Sequence, residues 1–160
     1  GGREEVYKEC QDVFQSIGKR LFYMGESGSG ALAKLVVNLV LGLNRLALAE
    51  GLTLGMQAGI EGERLLELLN ASAAYSRAMD IKGRKMVEGD FETEGKLEFH
   101  LKDVELMLKL GRELKVPLLL SSLHAQVLRA GVAQGLGLQD NSAVIAILQK
   151  LAGMKVLERK

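Results

Sequence analysis

Residues 25–60 read GESGSGALAKLVVNLVLGLNRLALAEGLTLGMQAGI, a glycine-rich turn followed by a long run with few charges. Leucine and alanine dominate the run, and both favour helix. We therefore predict one helix from about Ser29 to the alanine before Gly59, with Gly59 as its C′ stop. Lys34 and Asn38 lie one helical turn apart near its start and share a face. An apolar helix that keeps an amine and an amide together indicates a functional site.

The same run is long enough to cross a bilayer, because Ala31–Ala49 matches the length of a spanning helix. The polar residues inside that window are Lys34, Asn38, Asn44 and Arg45. Charged side chains at bilayer depth are unfavourable by several kcal/mol. We therefore favour a helix that protein buries on most sides over a membrane span.

The composition favours a helical protein with a real core. Of 160 residues, 48% are apolar and only 4% aromatic, and Pro117 is the single proline. The 21 basic and 20 acidic residues are well mixed, so nothing points to nucleic acid or an anionic membrane. Cys10 is alone, and the charged N-terminus lacks the apolar region of a signal peptide. A cytoplasmic location is expected, or a mitochondrial matrix if the parent protein carries a transit peptide.

The segment before the long helix has a mixed pattern. Residues 3–17 carry a helical apolar stripe that ends at Gly18, as at a C′ glycine. Residues 21–24, LFYM, predict a brief strand. Because one strand cannot satisfy its backbone groups alone, we expect residues 1–24 to be the last helix and strand of an otherwise absent sheet domain. Residues 25–160 are then predicted to form an all-helical domain.

After the long helix the pattern predicts further helices at residues 61–69, 77–87, 97–114, 118–133 and 141–150. Pro117 fits the first turn of the fourth of these, and Asn141 or Ser142 fits the N-cap of the last. Residues 72–76 read as a polar turn and residues 89–95 as a loop. The fold class is therefore all-α around one long central helix.

Small residues recur every fourth position along the long helix, at Ala47, Gly51, Gly55 and Gly59. Glycine inside a helix is unfavourable by about 1 kcal/mol relative to alanine. The stripe therefore indicates close approach of another helix. That helix belongs either to the same chain or to a second subunit, and the pattern leaves both open.

The candidate for chemistry is Lys34. The partial positive charge of the helix start and the apolar surroundings disfavour a second positive charge there, and a neutral amine can move protons. The turn containing Gly28 and Gly30 could hold a substrate carboxylate through backbone amides. Asn38 adds a donor and an acceptor. A lysine whose stem lies along apolar surface beside a structural asparagine is the ordinary alternative.

Other polar groups carry weaker signals. Lys102 and Asp103 are adjacent and so point roughly 100° apart on a helix, which is typical of a salt-bridged solvent face. His100 and His124 stand singly, without metal-ligand spacing, and are expected to be structural or exposed.

Two further short segments leave alternatives open. A pocket lined by Ser72, Tyr75 and Ser76 is possible, although a polar turn explains these residues equally well. The turn GESGSG has GxxGxG order and is not the dinucleotide fingerprint, which occurs nowhere in the chain.

The pattern GxxGxGxxxKxxxN, formed by Gly25, Gly28, Gly30, Lys34 and Asn38, resembles the catalytic signature of the β-hydroxyacid dehydrogenase family. That family includes 3-hydroxyisobutyrate dehydrogenase, tartronate semialdehyde reductase, glyoxylate/succinic semialdehyde reductases and, more distantly, 6-phosphogluconate dehydrogenase. Further blocks match the family in order: GGREEVYKECQDVFQSIGK, AEGLTLGMQAGI, MVEGDF and LKDVELMLKLGRELKVPLLL.

The resemblance implies an NAD- or NADP-dependent oxidoreductase that acts on a small hydroxy acid or semialdehyde. It implies a C-terminal helical bundle like that of 6-phosphogluconate dehydrogenase, commonly a homodimer, behind an N-terminal Rossmann domain. Lys34 would be the general acid/base, and Asn38 and Gly30 would hold the substrate. Lys102 and Asp103 would match a lysine–aspartate pair near the cofactor.

The chain departs from the family in two places. A phenylalanine is usual seven residues before the lysine of that pair, and here the position is Gly95, so that Phe91 or Phe99 would have to replace it. The cofactor fingerprint and the serine–glycine–glycine loop are missing, and Gly1–Gly2 match a later pair of glycines. We therefore expect a fragment of a longer enzyme that is inactive alone.

Two alternatives remain open on the same fold. One is a non-catalytic relative that serves in assembly or senses the cofactor, against which the presence of both Lys34 and Asn38 counts. The other is an imine reductase-like enzyme, in which this lysine is usually replaced.

Overall fold

The computed structural model describes residues 1–156, and its regular structure is helical, with no strand among those residues. The α-helices are α1 Glu4–Glu9, α2 Gln11–Ile17, α3 Ser29–Gln57, α4 Gly62–Asn70, α5 Arg84–Glu88, α6 Leu97–Glu113, α7 Leu119–Ala133 and α8 Val144–Leu151. A π-helix at Met79–Gly83 precedes α5, and a 3₁₀-helix at Asn141–Ala143 precedes α8. The mostly helical class predicted from composition is confirmed.

The chain divides into two compact units, the first spanning Gly1–Asn38 and the second beginning at Leu39. Helix α3 runs without interruption from Ser29 to Gln57, so its residues belong in part to each unit. The predicted boundary after residue 24 lies inside the first unit, and its interpretation as a domain remnant stays a prediction.

The start of the first unit differs from the predicted single helix at residues 3–17. It consists of α1 and α2, which are separated at Cys10. Gly18 does end α2, but with φ −131° and ψ 136° it is extended and is not a left-handed C′ glycine.

The predicted strand at residues 21–24 is wrong. The described part of the chain offers no second strand to pair with it, so the segment has no ladder to join. Its Tyr23 is held by other contacts. The hydroxyl donates a hydrogen bond to the Gly2 carbonyl oxygen (2.8 Å), and the ring lies 5.2 Å from that of Tyr7, which stacks on Phe14 at 5.9 Å.

Both predicted ends of α3 are confirmed. Gly28, with φ +95°, precedes its first residue, and Gly59, with φ +90°, follows its last turn. The Gly59 N–H donates to the Met56 carbonyl and the Ile60 N–H to the Gly55 carbonyl, both at 3.0 Å. This pair of bonds is the Schellman arrangement, for which a glycine at the left-handed position is favoured.

The expectation that protein buries α3 on most sides is wrong within the described residues. By length and composition the helix could span a membrane, and only 17% of its most apolar window of 18 residues is buried. The buried residues of α3 are Gly42, Arg45, Leu48, Ala49, Leu52 and Thr53. The apolar residues Leu32, Val36, Val37 and Val40 are exposed, because the buried contacts of α3 begin only at Gly42.

The later helices follow the predicted pattern with three corrections. The segment predicted as an ordinary helix at residues 77–87 contains the π-helix. Pro117 is not in the first turn of α7, which begins at Leu119. The cap before α8 is neither Asn141 nor Ser142, since the Asp140 carboxylate accepts the Ser142 N–H at 3.0 Å.

Two histidines from neighbouring helices meet at the buried half of α3. The rings of His100 on α6 and His124 on α7 lie 5.1 Å apart and are tilted by 50°, which agrees with the structural role expected for them, although the sequence did not indicate that they pack together. Gly42 makes room for them. A Cβ there would overlap the His100 ring and come within 3.0 Å of His124 Cε1.

Burial lowers the pKa of both imidazoles. It brings the pKa of His100 to about 3, with the charge of Arg45 and then His124 acting in the same direction. It brings the pKa of His124 to about 4, again with Arg45 as the second cause. Both rings are therefore neutral inside the folded protein at pH 7.

The stripe of small residues makes an intrachain contact at one position. A Cβ at Gly55 would overlap Leu65 of α4, whereas a Cβ at Gly51 would meet nothing within 4 Å. Packing against a helix of the same chain therefore explains the glycine at position 55 but not the glycine at position 51.

Replacing Gly42 and Gly51 by alanine separates close packing from helix propensity. Both substitutions favour helix by about 1 kcal/mol, but only Gly42→Ala meets the rings of His100 and His124. We expect Gly42→Ala to lower the free energy of unfolding by about 1–3 kcal/mol and Gly51→Ala to leave it unchanged or raise it. Urea unfolding of both variants measures this. Equal effects of the two substitutions would contradict the packing of His100 and His124 on Gly42.

The buried histidines predict a loss of stability in mild acid. Below pH 6.5 the unfolded chain binds protons that the folded chain, with pKa values of about 3 and 4, does not bind. Stability therefore falls as the pH falls below 6.5, by roughly 2 kcal/mol per histidine between pH 7 and pH 5. Urea unfolding at both pH values measures the loss.

The matched variants are His100→Gln and His124→Gln, which cannot titrate in this range. Each is expected to show a smaller difference between the two pH values than the wild type. An identical pH dependence in wild type and variants would show that the two rings do not titrate as described.

Candidate functional site

The first unit holds the residues of the predicted catalytic motif. Lys34 is exposed and Asn38 is half-buried, one turn apart on the same face of α3. Gly30 lies in the first turn of the same helix and is half-buried. The structure therefore places an amine, an amide and a helix start within one unit, as the sequence pattern predicted.

The glycine turn before Lys34 is closely packed against the first residues of the chain. A Cβ at Gly30 would lie 3.2 Å from the Gly1 nitrogen, and the Gly2 N–H donates to the Gly25 carbonyl at 2.9 Å. Gly28 has φ +95° and open space around it, so its glycine is required by the backbone conformation. The carboxylate cradle at this turn stays a prediction.

The predicted cofactor pair lies in the second unit. On α6, Lys102 is exposed and Asp103 is half-buried. Nearby, Phe91 is half-buried, whereas Phe99 is 61% exposed and lies under the Lys96 ammonium at 5.2 Å. The roles of Lys102 and Asp103 stay predictions.

Gly95, which stands where the family usually has phenylalanine, has a backbone role here. Its N–H donates to Asp140 Oδ2 at 3.1 Å, and a Cβ on it would lie 3.2 Å from Asn141 Nδ2. A larger side chain at this position would therefore press on Asn141.

A cavity of about 250 Å³ adjoins the polar turn at residues 72–76, for which the sequence left a pocket open. Tyr75 and Ser76 line it, together with Asn44 and Gly51 of α3. Ser72 does not line it, and its hydroxyl donates to the Leu69 carbonyl at 2.9 Å.

A buried ion-pair cluster that the sequence did not reveal lies at the loop before α6. Lys82 of the π-helix is 7% exposed, and its ammonium donates to Asp140 Oδ2 at 2.9 Å and to Glu94 Oε2 at 2.7 Å. Asp140, which is fully buried, also accepts the backbone N–H groups of Glu94, Gly95 and Ser142 at 3.0–3.1 Å.

These hydrogen bonds decide the ionisation of the two carboxyl groups. Burial alone would raise the pKa of Asp140, but hydrogen bonds from Ser142, Lys82 and the Glu94 backbone outweigh it and lower the pKa to about 2. The hydrogen bond from Lys82 also lowers the pKa of Glu94. Both carboxyl groups are thus ionised at neutral pH.

Arg45 of α3 lies close to this cluster and is 5% exposed. Burial lowers its pKa to about 10, while the charge of Asp140 acts in the opposite direction. The guanidinium therefore stays protonated at neutral pH. Its Nη2 is buried and donates to no protein acceptor among the described residues. Arg45 also lines a cavity with Lys82 and Glu94.

Arg45, which lies beside this cluster, had a signal in the sequence. Arg45 is the only basic residue between Lys34 and Arg64, inside an otherwise apolar helix, and that isolation could have marked it. Lys82 and Asp140 are separated by 58 positions and share no local pattern. Their pairing is visible only in the fold.

The described residues fit only part of a dinucleotide site. The exposed ammonium of Lys102 on α6 is a cation suited to a phosphate group. A doubly wound fold holds a dinucleotide at the carboxyl ends of parallel strands. Because residues 1–156 contain no strand, they do not supply that crevice on their own.

Curated relatives match almost the whole chain. It is 37% identical to 2-(hydroxymethyl)glutarate dehydrogenase of Eubacterium barkeri over 157 residues, which cover 98% of this chain and 52% of the relative. It is 33% identical to glyoxylate/succinic semialdehyde reductase 1 of Arabidopsis thaliana, over 90% of this chain and 50% of the relative. It is also 32% identical to the cytokine-like nuclear factor N-PAC of Homo sapiens, over 89% of this chain and 26% of the relative.

A solved structure has the same fold. The 3-hydroxyisobutyrate dehydrogenase of Salmonella typhimurium superimposes with a TM-score of 0.86 at 24% identity, over 91% of this chain and 52% of that one. The chain thus spans about half the length of the named dehydrogenase and reductase relatives and about a quarter of N-PAC.

A protein family described as NAD-binding of NADP-dependent 3-hydroxyisobutyrate dehydrogenase matches residues 28–148. That range includes Lys34, Asn38 and the ion-pair cluster around Asp140. The description attaches NAD binding to this segment, whereas the sequence-based expectation placed most cofactor contacts in another domain. Because the match covers most of its length, the chain belongs to this family of 3-hydroxyisobutyrate dehydrogenase-like proteins.

Proposed function

We propose that the chain is the C-terminal part of an NAD(P)-dependent 3-hydroxyacid dehydrogenase or semialdehyde reductase. The observation that carries the proposal is the exposed Lys34 beside Asn38 on one face of α3, within the segment that matches the family. The names of two relatives, a hydroxymethylglutarate dehydrogenase and a semialdehyde reductase, support small hydroxy acids or their aldehydes as substrates.

Lys34 would act as the general acid/base. In alcohol oxidation its neutral amine takes the proton of the substrate hydroxyl, and in carbonyl reduction its ammonium returns that proton to the new alkoxide oxygen. Asn38, one turn further along α3, would orient the substrate through its amide. The first-turn amides around Gly30 would hold the substrate carboxylate.

The chemistry that a bound nicotinamide supplies is hydride transfer. Lys102 and Asp103 of α6 are our candidates for contacts with the cofactor. Since the chain spans about half of its dehydrogenase relatives, we infer that another part of the protein supplies the strands of a Rossmann domain, to which residues 1–24 would belong.

A second candidate function is a non-catalytic role in assembly or cofactor sensing. Relatives named as nuclear factors rather than enzymes share this segment at 31–32% identity. The same fold therefore occurs in proteins whose names carry no enzymatic activity.

The catalytic role is tested by Lys34→Met in the full-length protein. We expect kcat to fall by about 10²- to 10⁴-fold with little change in KM, because the substitution removes a proton carrier. The assay follows reduced nicotinamide with 2-(hydroxymethyl)glutarate and other small hydroxy acids.

The matched control is Lys109→Met, which removes an exposed lysine of α6 that is paired only loosely with Glu113. Unchanged kcat in Lys34→Met would rule out the proton transfer. A wild-type protein that binds NAD(P) but turns over none of these acids or aldehydes would favour the non-catalytic role.

We also propose a homodimer that buries the face around Ala47 and Gly51 of α3. Both residues are exposed, and Leu54 beside them is 73% exposed. Light scattering of the chain, with its mass of 17.4 kDa, should give a dimer. Leu54→Glu should give a monomer, whereas Leu138→Glu, on an exposed loop, should stay dimeric. A monodisperse wild-type monomer at high concentration would contradict this interface.

A further inference from the structure

Three basic side chains come together where the buried half of α3 packs. Arg45 of α3 is 5% exposed and His124 of α7 is 2% exposed. The His100 ring of α6 lies 5.1 Å from that of His124, and both rings lie against Gly42 of α3. The charge of Arg45 acts on both rings. We call these four residues the histidine cluster, and its side chains are two neutral bases and one cation at neutral pH.

A further positive charge is unfavourable in the histidine cluster. His100 Nε2 is buried and has no hydrogen-bond partner among residues 1–156, so a proton bound there would be a buried donor without an acceptor. The charge of Arg45 would also repel a proton on either ring. Asp140, the carboxylate that acts on Arg45, already accepts hydrogen bonds from Lys82 and from three backbone N–H groups. Proton uptake by the rings therefore opposes their packing against α3.

The contact that proton uptake would break is the one with α3, because the histidine cluster lies where the packing of that helix begins. Gly42 is the first buried residue of α3. Val36, Val37 and Val40 before it are exposed. Segments with few buried contacts open at a lower free energy than the core. Water therefore reaches the two rings most readily when α3 moves away from them at Gly42.

The other helices of the second unit are held by contacts that do not change between pH 7 and pH 5. Leu97 of α6 and Ala125 and Leu128 of α7 are at most 1% exposed. The pKa of Asp140 is lowered to about 2 by its hydrogen bonds, so the carboxylate stays ionised and its ion pair with Lys82 persists. Loss of the α3 contact in mild acid would therefore leave this core in place.

We propose that the histidine cluster is a pH-sensitive switch, in which proton uptake by His100 and His124 in mild acid releases α3 from α6 and α7 while the remaining helices of the second unit stay packed. The pKa of each packed ring is lowered, so below pH 6.5 the packed state binds fewer protons than the released state. Packing of α3 is therefore strongest above pH 6.5 and weakens as the pH falls. The inference does not depend on catalysis by Lys34.

The test is amide hydrogen exchange of the ¹⁵N-labelled chain at pH 7 and pH 5, corrected for the pH dependence of intrinsic exchange. A helix without tertiary contacts is marginally stable, so its amide groups exchange once packing is lost. We expect the protection of Leu48 and Leu52 in α3 to fall at pH 5 by at least about tenfold more than that of Leu128 and Ile145 in the core. An equal fall in both sets, or no fall in α3, would overturn the proposal.

Two variants assign the effect to the rings. The double variant His100→Gln/His124→Gln cannot titrate in this range, so its α3 amides should show the same pH response as its core amides. Arg129→Met removes an exposed charge of α7 outside the histidine cluster and should keep the wild-type response. A wild-type response in the double variant would contradict the switch. Should the double variant not fold, the comparison of α3 with the core in the wild type decides the question.

Discussion

The ion pair between Lys82 and Asp140 is the interaction on which the second unit depends. Asp140 is fully buried and joins three segments. Its carboxylate accepts hydrogen bonds from the Lys82 ammonium in the π-helix, from the Glu94 N–H before α6 and from the Ser142 N–H before α8. Removing one partner of such a pair leaves a buried charge and is typically unfavourable by about 3–5 kcal/mol. The same pair also neutralises Lys82, whereas the nearby Arg45 Nη2 has no acceptor among the described residues.

The parts of the fold that were predicted correctly depend on local signals. The leucine and alanine content predicted helix α3. Gly59 predicted its end, because glycine readily adopts the left-handed conformation that follows the last turn. The strand at residues 21–24 could not be predicted reliably, since a strand exists only with a partner. Burial of α3 was also overestimated, because an apolar helix shows what it could contact and not which contacts the described chain supplies.

The candidate site residues also divide into those that a local sequence pattern predicted and those that only the fold brings together. Lys34 and Asn38 were found because a short spacing on one helix brings them to one face. Asp140 and Lys82 are 58 positions apart, and their contact depends on the π-helix and on two loops that meet only in the folded chain. Arg45 was visible as an isolated charge in an apolar run, but its burial and its electrostatic interaction with Asp140 were not.

The π-helix at Met79–Gly83 has a consequence for how this protein tolerates changes in length. A π-turn holds one more residue than an α-turn, so the helix accommodates an additional residue at this point. Deleting one residue from it would restore an ordinary helix and rotate the preceding residues by roughly 100° relative to the following ones. Lys82 could then no longer pair with Asp140 and Glu94 while Ala78 stays buried. The segment therefore fixes the number of residues between the polar turn and α5, since Met79, Lys82 and Gly83 within it are buried.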